Sequence, residues 1–326
     1  MARINGFGLK DYIPSHIRRQ VRQRCNFGCV QCGQPFGVDY HHFDPEFKDA
    51  TKHDPDGITL LCTDHHRQAT TGVIGVDTVR DWNANPKARS HGIAGWSPAA
   101  VLWPGLTLGS DLYRPNTRYR VEGLEFRVES PERRDGPARV SLRLFDPQAK
   151  NRTTLLIVRN EIRIGSSNYD VYFQGSCLYV QERNGAQKLE IDFFSGSLVI
   201  RKLKLAGKSG SVSVSKEWTV YRSTPTAIVS VHERRPSIPI EPSQPRHKGP
   251  KTLVHFTPEA RGGKMIGCDF RGGQTAIHAE APDLTLEDCS IHDTGTALRV
   301  TGGGSVKSRK NKIERAREAV SFEPPE

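Results

Sequence analysis

The sequence predicts a multidomain α+β protein in which short β-strands dominate after about residue 100. Three observations support this fold class. Cysteine and histidine residues cluster among helical segments in the first hundred residues, short alternating strands follow, and a repeat of 21–22 residues fills the last segment. The 326 residues are enough for two or three domains. We divide the chain into residues 1–99, 100–235, a proline-rich linker over 236–252, and 253–326.

Two helices are predicted in the N-terminal segment. In "PSHIRRQVRQR", Ser15 suits the N-cap, and Ile17 and Val21 fall on one helix face. The run "VDTVRDWNANP" predicts a second, short helix that ends at or before Pro86.

The middle segment alternates apolar and polar residues with a period of two. Runs such as "VSLRLF", "EIRIG" and "SLVIRKLKL", separated by turn residues, predict an antiparallel β-sandwich or barrel. This segment also holds most of the excess charge: 22 Lys and Arg stand against 14 Asp and Glu, within a chain of net charge +11. Such basicity favours a polyanionic partner.

The last segment contains a repeat with two ladders in one register. Ile277, Leu298 and Val320 recur at spacings of 21 and 22 residues, and the runs "CDF", "CSI" and "NKI" recur in step with them. Short apolar strands between glycine-rich turns at this spacing resemble the coils of a right-handed parallel β-helix. The run "TAIVSVHE" at 226–233 is a further candidate coil. We expect this module to pack, through its upstream face, on the middle domain or on another subunit.

Four residues form a predicted structural zinc site. Cys29 and Cys32 make a C-x₂-C knuckle, and Cys62 and His65 make a C-x₂-H pair thirty residues on. Two short pairs joined by a loop give the four tetrahedral ligands that zinc prefers. On a helix, neighbouring residues project about 100° apart, so His66 would face a different pocket from His65.

The runs "CVQC", "HHFDP" and "GITLLCTDHH" resemble the HNH endonucleases, whose ββα-metal fold often carries a zinc knuckle. The resemblance covers residues 15–90 and implies an N-terminal ββα-metal domain. It makes His42 the general base that activates water for attack on a phosphodiester. It also makes His41 and His66 the ligands of a catalytic divalent cation, commonly Mg²⁺ in the wider family.

Two positions depart from the family pattern. His65 stands where a fourth cysteine is usual, which zinc tolerates. Gly57 stands where the family has an asparagine that braces the loop and helps to orient the base. Three nearby residues are candidates to replace that brace: His53, Asp54 and Asp56.

Two functions follow from these residues, with a third weighed against them. The first is a metal-dependent DNA endonuclease whose accessory β domains bind substrate, assemble or regulate, in phage defence or restriction. The alternative is a catalytically degenerate, zinc-containing nucleic-acid-binding or assembly protein. A carbohydrate-active β-helix is disfavoured, because Asp269, Asp288 and Asp293 have the pattern of turn residues. Candidate DNA-binding residues are Arg18, Arg19, Arg22, Arg67, Lys202 and Lys204.

Cysteine usage and hydropathy set the expected compartment. No run approaches the ~18 apolar residues of a membrane helix, and the first twenty residues lack the apolar core of a secretory signal. Seven cysteines are an odd number, and three lie within eight residues, which suits a metal site in a reducing compartment. We therefore expect a cytoplasmic protein that binds DNA and no membrane, with a protein partner or a second copy at the β-helix.

Overall fold

The structure, a computed structural model, is built mainly of β-strands arranged in several sheets. It describes residues 3–90, 93–96, 103–121, 123–133, 136–145, 153–165, 167–183, 187–193, 196–207, 210–223, 252–256, 263–280, 283–301 and 304–322. Within these ranges no helix has the length and apolar character needed to cross a membrane. The predicted linker over 236–252 and the candidate coil at 226–233 lie almost wholly outside the described residues.

The described part of the N-terminal hundred residues contains four helices, α1 (Ser15–Arg24), α2 (Thr63–Thr70), α3 (Val76–Ala84) and α4 (Lys87–Ser90), with a 3-10 turn over Pro55–Gly57. The strands in chain order are β1 (Val38–His42), β2 (Ile58–Cys62), β3 (Ile93–Trp96), β4 (Leu106–Leu108), β5 (Asp111–Tyr113), β6 (Thr117–Val121), β7 (Leu124–Glu129), β8 (Arg139–Phe145), β9 (Thr153–Val158), β10 (Glu161–Gly165), β11 (Asp170–Gln174), β12 (Cys177–Gln181), β13 (Gln187–Asp192), β14 (Leu198–Ala206), β15 (Gly210–Val214), β16 (Thr219–Ser223), β17 (Thr252–Phe256), β18 (Lys264–Ile266), β19 (Asp269–Arg271), β20 (Thr275–Ala279), β21 (Leu284–Glu287), β22 (Ser290–His292), β23 (Thr296–Val300), β24 (Ser305–Arg309), β25 (Lys312–Glu314) and β26 (Glu318–Phe322).

The chain divides into two compact units. The first combines residues 1–100 with 151–194, and the second combines 101–150 with 195–326. Both units therefore take strands from the segment 100–235 of the sequence. The four-part division proposed from the sequence stays a prediction about functional domains.

In the first unit, the hairpin β1–β2 packs with helices α1 and α2 around a small core. Leu60 and Leu61 of β2 and Val21 of α1 are almost fully buried in it. Pro14 occupies the N-cap of α1 and the helix begins at Ser15, so the prediction of Ser15 as N-cap is wrong. The same unit contains the antiparallel strands β11, β12 and β13, and Asp170 of β11 forms an ion pair with Arg22 of α1 at 2.6 Å.

In the second unit, two antiparallel sets lie among residues 106–223: β6–β7–β8 and β14–β15–β16. Alternate residues are buried along these strands, for example Val140, Leu142 and Leu144 of β8, as the period of two predicts. The prediction of a purely antiparallel segment is wrong in one place, because β4 pairs in parallel with β14.

The strands after residue 252 stack in parallel coils. β17, β20, β23 and β26 form one parallel stack, β18, β21 and β24 a second, and β19, β22 and β25 a third. Ile277 lies opposite Leu298, and Leu298 lies opposite Val320, which are the residues that the sequence repeat aligns. This is the strand pairing of a parallel β-helix.

Two corners of each coil repeat a left-handed backbone conformation. Gly267, Asp288 and Lys310 occupy one corner with φ between 53° and 64°. Gly272, Asp293 and Arg315 occupy the next corner with φ between 51° and 75°. Glycine adopts this conformation without strain, and aspartate tolerates it better than most residues do. The aspartates at 288 and 293 are therefore turn residues, as the sequence predicts. Asp269 instead begins β19, so its assignment to a turn is wrong.

The last coil, not the first, joins the antiparallel part of the second unit. β24 pairs antiparallel with β16, and β25 pairs in parallel with β5. The described contact with the middle segment is therefore at the downstream edge, and packing of the upstream face on another subunit stays a prediction. Strand edges favour continuation of a ladder, and here β5 and β16 cover the downstream edge that would otherwise be left open.

Candidate metal centre and histidine cleft

The segment after α1 and the beginning of α2 build a Cys3His cluster. The ligand atoms of Cys29, Cys32, Cys62 and His65 all lie within 4.8 Å of one another. His65 Nδ1 lies 3.1 Å from Cys62 Sγ and 3.5 Å from Cys29 Sγ, and Cys32 Sγ lies 3.9 Å from Cys62 Sγ. These are the four residues that the sequence predicts. Three thiols and one imidazole suit tetrahedral zinc, so the cluster could bind this metal.

Backbone hydrogen bonds place the four ligands. The Gly33 N–H donates to the Cys29 carbonyl at 2.8 Å, which closes the knuckle, and Gly33 has a φ of +80° that favours glycine. The Val30 N–H donates to the Leu60 carbonyl at 3.0 Å and ties the knuckle to β2. Cys62 ends β2 and His65 lies in the first turn of α2, so one strand–helix junction supplies two ligands.

The electrostatics of the three thiols also fit a cation. The hydrogen bond between Cys32 and Cys29 lowers the pKa of Cys29 to about 5, and the same contact followed by burial raises the pKa of Cys32. Burial raises the pKa of Cys62. One thiolate forms readily while its neighbours keep their protons, because adjacent thiolates repel each other. A divalent cation would remove that repulsion and bind all three as thiolates.

The other three histidines of the motif lie on a different side of the same elements. His41 and His42 are the last residues of β1, and His66 follows His65 on α2. The rings of His41 and His66 meet edge to face with centroids 5.1 Å apart. His65 thus contacts the cysteines while His66 contacts His41, as the angular offset along a helix predicts.

Gly57 has a structural reason to lack a side chain. A Cβ on Gly57 would lie 1.9 Å from the carbonyl oxygen of Asp44, so no larger residue fits this backbone. The Gly57 carbonyl instead accepts hydrogen bonds from the N–H groups of Phe43 (2.9 Å) and Asp44 (3.3 Å). The backbone of Gly57 therefore braces the segment that follows His42.

His53 is the residue that contacts the ring of His42. His53 Nδ1 lies 3.0 Å from His42 Nε2, and His53 Nε2 lies 2.9 Å from the carbonyl oxygen of Lys10. A carbonyl only accepts, so His53 Nε2 carries the proton, and in the neutral ring His53 Nδ1 is the acceptor. His42 Nε2 must then donate, which leaves the lone pair of a neutral His42 on Nδ1.

The other two brace candidates make different contacts. Asp54 accepts a hydrogen bond from the Asp56 N–H at 3.1 Å and forms an ion pair with Lys52. Asp56 pairs with Arg24 at 3.0 Å. Among the three candidates, the structure brings only His53 into hydrogen-bond contact with His42.

The neutral forms of His41 and His42 are favoured. Burial, followed by the nearby His66, lowers the pKa of His41 to about 4. Burial, followed by His53 and His41, lowers the pKa of His42 to about 4. Both imidazoles are therefore unprotonated at neutral pH, which is the form that binds a metal or accepts a proton.

These histidines line a cleft of about 340 Å³. One wall comes from the N-terminal arm, which contributes Arg3, Asp11 and Ile13. The turn before α3 and α3 itself contribute Ile74, Val76 and Val79, and Glu46 lies in the cleft near His41. Glu46 and Lys10 are parts of this site that sequence analysis missed; the Lys10 contribution is a backbone carbonyl, which no side-chain pattern signals.

The predicted DNA-binding residues differ in what they contact. Arg22 is largely buried, forms a double hydrogen bond with Asp170 at 2.6 and 2.8 Å, and also donates to the Tyr40 hydroxyl. Its guanidinium is thus engaged by protein groups, and its DNA contact stays a prediction. Arg18 and Arg19 lie over the rings of Tyr12 and Tyr169. The remaining three are exposed: Arg67 on α2, and Lys202 and Lys204 on β14.

Comparisons with known proteins give no relative for this chain: no family model, no curated protein and no solved structure matches it. The site thus consists of a Cys3His cluster and a cleft lined by His41, His42 and His66.

Proposed function

We propose that the chain is a metal-dependent endonuclease of the HNH type that hydrolyses phosphodiester bonds in DNA. One observation carries the proposal. His42, at the end of β1, is held by His53 with a free Nδ1 lone pair, in the same cleft as the His41–His66 pair. A fixed neutral base beside a pair of metal-ligating imidazoles is the arrangement that water activation at a phosphate requires.

In this proposal each residue of the cleft has one role. His42 takes the proton from the attacking water at Nδ1, and the His53–Lys10 relay keeps the ring in the tautomer that can do so. His41 and His66 would hold the divalent cation, which when bound neutralises charge on the scissile phosphate and the leaving oxygen. Imidazole ligands favour Ni²⁺ or Zn²⁺ over Mn²⁺ and Mg²⁺, so we place Mg²⁺ below Ni²⁺ and Zn²⁺ as the catalytic ion.

The Cys3His cluster would hold structural zinc. It joins the knuckle to the beginning of α2, which also carries His66, so the zinc would fix the helix that presents a cleft residue. Structural zinc supplies folding free energy to small domains. The exposed Lys202 and Lys204 and the basic middle segment would supply DNA contacts, and the parallel coils would serve assembly or regulation in a cytoplasmic defence or restriction system.

The test is cleavage of supercoiled plasmid by the purified full chain with Mn²⁺, Ni²⁺, Zn²⁺ or Mg²⁺ added singly. We expect divalent-dependent nicking that His42→Ala reduces by about 10²–10⁴-fold. His66→Ala should instead raise the metal concentration needed for half-maximal rate. Asp56→Asn, which changes an exposed residue of the same loop region, is the matched control and should leave the rate unchanged.

One outcome favours the alternative function. A protein that binds DNA and retains zinc, yet nicks no plasmid with any of the four cations, would be a degenerate member that binds without cutting. Gly57, which stands where HNH enzymes have an asparagine, is the observation that keeps this alternative open. Failure to bind DNA at all would remove both functions.

A further inference from the structure

Exposed apolar side chains concentrate around the histidine cleft. Of the seven large apolar residues that are exposed within the described part of the chain, five lie on the two segments that form its walls. Ile4, Phe7 and Tyr12 are on the N-terminal arm, and Val73 and Val76 are on the turn before α3 and at its start. Several exposed large apolar side chains on two segments beside one cleft mark a candidate binding region.

The arm holds its aromatic residue outward by specific bonds. Asn5 accepts hydrogen bonds from the N–H groups of Phe7 and Leu9 at 3.1 and 2.9 Å, which forms a tight turn. The Asn5 amide also donates to the carbonyls of Phe47 and Ala50, both at 2.6 Å. The turn is therefore anchored to the loop beside the cleft, while the Phe7 side chain is 64% exposed at its tip.

A second aromatic ring lies on the same arm. Tyr12 is 63% exposed, and the Arg18 guanidinium lies 5.2 Å from its ring centroid. Arg18 thus fixes the ring and adds a positive charge beside it. An aromatic ring with a cation beside it is the pairing that stacks a base and attracts the neighbouring phosphate.

The charges that line the cleft itself balance. Arg3 and Lys48 are offset by Asp11 and Glu46, and Lys48 forms an ion pair with Glu46 at 2.9 Å. A duplex presents a phosphate surface, and proteins that bind it do so mainly with unpaired cations. A single strand also exposes the faces of its bases, which stack on aromatic and apolar side chains. The cleft walls offer the second kind of contact.

We propose that the substrate of this site is a single-stranded or locally unpaired nucleic acid, whose bases stack on Phe7 and Tyr12 while one nucleotide enters the cleft. The inference rests on the proposed endonuclease function and narrows its substrate class. The strand's bases contact the arm on one side and Val73 and Val76 on the other, and its backbone passes the three histidines.

The experiment measures binding of the full chain by fluorescence anisotropy, with no divalent cation added. The probes are a labelled twelve-nucleotide single strand of mixed sequence and the duplex of the same sequence, both at one fixed salt concentration. We expect the single strand to bind at least tenfold more tightly. Phe7→Ala should weaken single-strand binding on the order of tenfold, and duplex binding less than twofold.

Three variants separate stacking from other effects. Phe7→Trp should keep single-strand affinity, whereas Phe7→Leu, which retains apolar area without a π-face, should lose it. Val158→Ala changes an exposed apolar residue of the same unit that does not line the cleft, and it should leave affinity unchanged.

Each remaining outcome overturns a different claim. Equal or tighter duplex binding, together with plasmid nicking, would leave the endonuclease in place and refute the substrate class. Unchanged DNA affinity in Phe7→Ala combined with a lower sedimentation coefficient would show that the patch binds a second copy of the chain instead. Absence of binding to either probe, and of nicking, would refute the proposed function itself.

Discussion

His42 Nε2 lies 3.0 Å from His53 Nδ1, and this pair decides which nitrogen of His42 is free. The other ring nitrogen of His53 donates to the Lys10 carbonyl of the N-terminal arm, 43 residues earlier in the chain, so a distant segment helps to hold the His53 ring. Gly57 has no side chain with which to hold the His42 ring. His53 makes the side-chain contact with that ring instead.

The two hydrogen bonds of the His53 ring predict that glutamine at position 53 should restore the activity that alanine there removes. Glutamine can accept from His42 through its Oε1 and donate to the Lys10 carbonyl through its Nε2, so His53→Gln preserves the direction of both hydrogen bonds. We expect His53→Ala to lower the cleavage rate about 10–100-fold and His53→Gln to recover most of it. Long-range ¹H–¹⁵N spectra of the histidine rings should show His42 protonated at Nε2 in the wild type and in His53→Gln.

That tautomer readout does not depend on activity. A wild-type His42 protonated at Nδ1 would contradict the relay even if His53→Ala were inactive. Lys52→Ala, which changes the exposed neighbour of His53 and leaves both ring contacts in place, is the control and should show the wild-type spectrum.

Zinc should be required for folding of the first unit. Cys32 contributes one of four clustered ligand atoms, and loss of a structural zinc removes on the order of 10 kcal/mol of folding free energy. We expect Cys32→Ser to lose stoichiometric zinc and to become sensitive to protease. Cys177→Ser, which changes a buried cysteine outside the cluster, should keep its zinc. Metal analysis of the purified variants is the measurement, and a Cys32→Ser protein with one bound zinc per chain would refute the site.

The features that could be predicted from the sequence are those whose residues lie close together, or recur regularly, along the chain. The residues of the Cys3His cluster occupy two three-residue spacings, and the coil ladders repeat every 21–22 residues, so both can be recognised from the sequence. The Arg22–Asp170 pair joins residues 148 positions apart, and nothing in the basic pattern of α1 indicates an internal acidic partner. Burial of Arg22 against a distant strand is therefore a feature that the sequence of α1 could not indicate.

The Arg22–Asp170 pair should be a major source of stability in the first unit. The side chains are 12% and 2% exposed, so removing one partner leaves a buried charge without compensation. We expect Asp170→Asn to lower the free energy of unfolding by about 3–5 kcal/mol, measured by urea denaturation. The Asp56–Arg24 pair is the control: Asp56 is 92% exposed, and Asp56→Asn should cost less than about 1 kcal/mol. Equal losses of unfolding free energy in the two variants would show that the buried pair contributes no more to stability than the exposed pair.

Stability of the second unit should fall as pH rises through about 6. Burial raises the pKa of Asp111 to about 6, although its carboxylate accepts hydrogen bonds from the Asn311 N–H and side chain at 2.9 and 3.1 Å. In the unfolded chain Asp111 has the ordinary carboxyl pKa near 4. The stabilisation from its bound proton is therefore complete below pH 4, declines between pH 4 and 6, and is lost above pH 6. Two pKa units correspond to about 3 kcal/mol.

Asp111→Asn should remove this dependence. The amide oxygen can still accept from Asn311, and no charge is buried at any pH. Thermal unfolding from pH 4 to 8 should therefore show a flatter curve for Asp111→Asn than for the wild type. Parallel curves for the two proteins would mean that Asp111 does not hold a proton in the folded state at pH 5.

Lys202 and Lys204 should contribute salt-dependent affinity for nucleic acid. Both side chains are exposed on β14, on either side of the buried Leu203, so both project from the strand into solvent on the same face. Each phosphate contact contributes about 0.9 to the slope of log affinity against log salt on duplex DNA, and about 0.7 on a single strand. We expect the double variant, Lys202→Ala with Lys204→Ala in one chain, to reduce that slope by the contribution of one or two phosphate contacts. Its zinc content should be unchanged. The slope is measured by titrating salt between 50 and 200 mM. Lys264→Ala is the control, because Lys264 is exposed but already paired with Glu287. An unchanged slope would assign the basic strand to solvent contact alone, and the nucleic-acid contacts would then have to come from the arm and helices around the cleft.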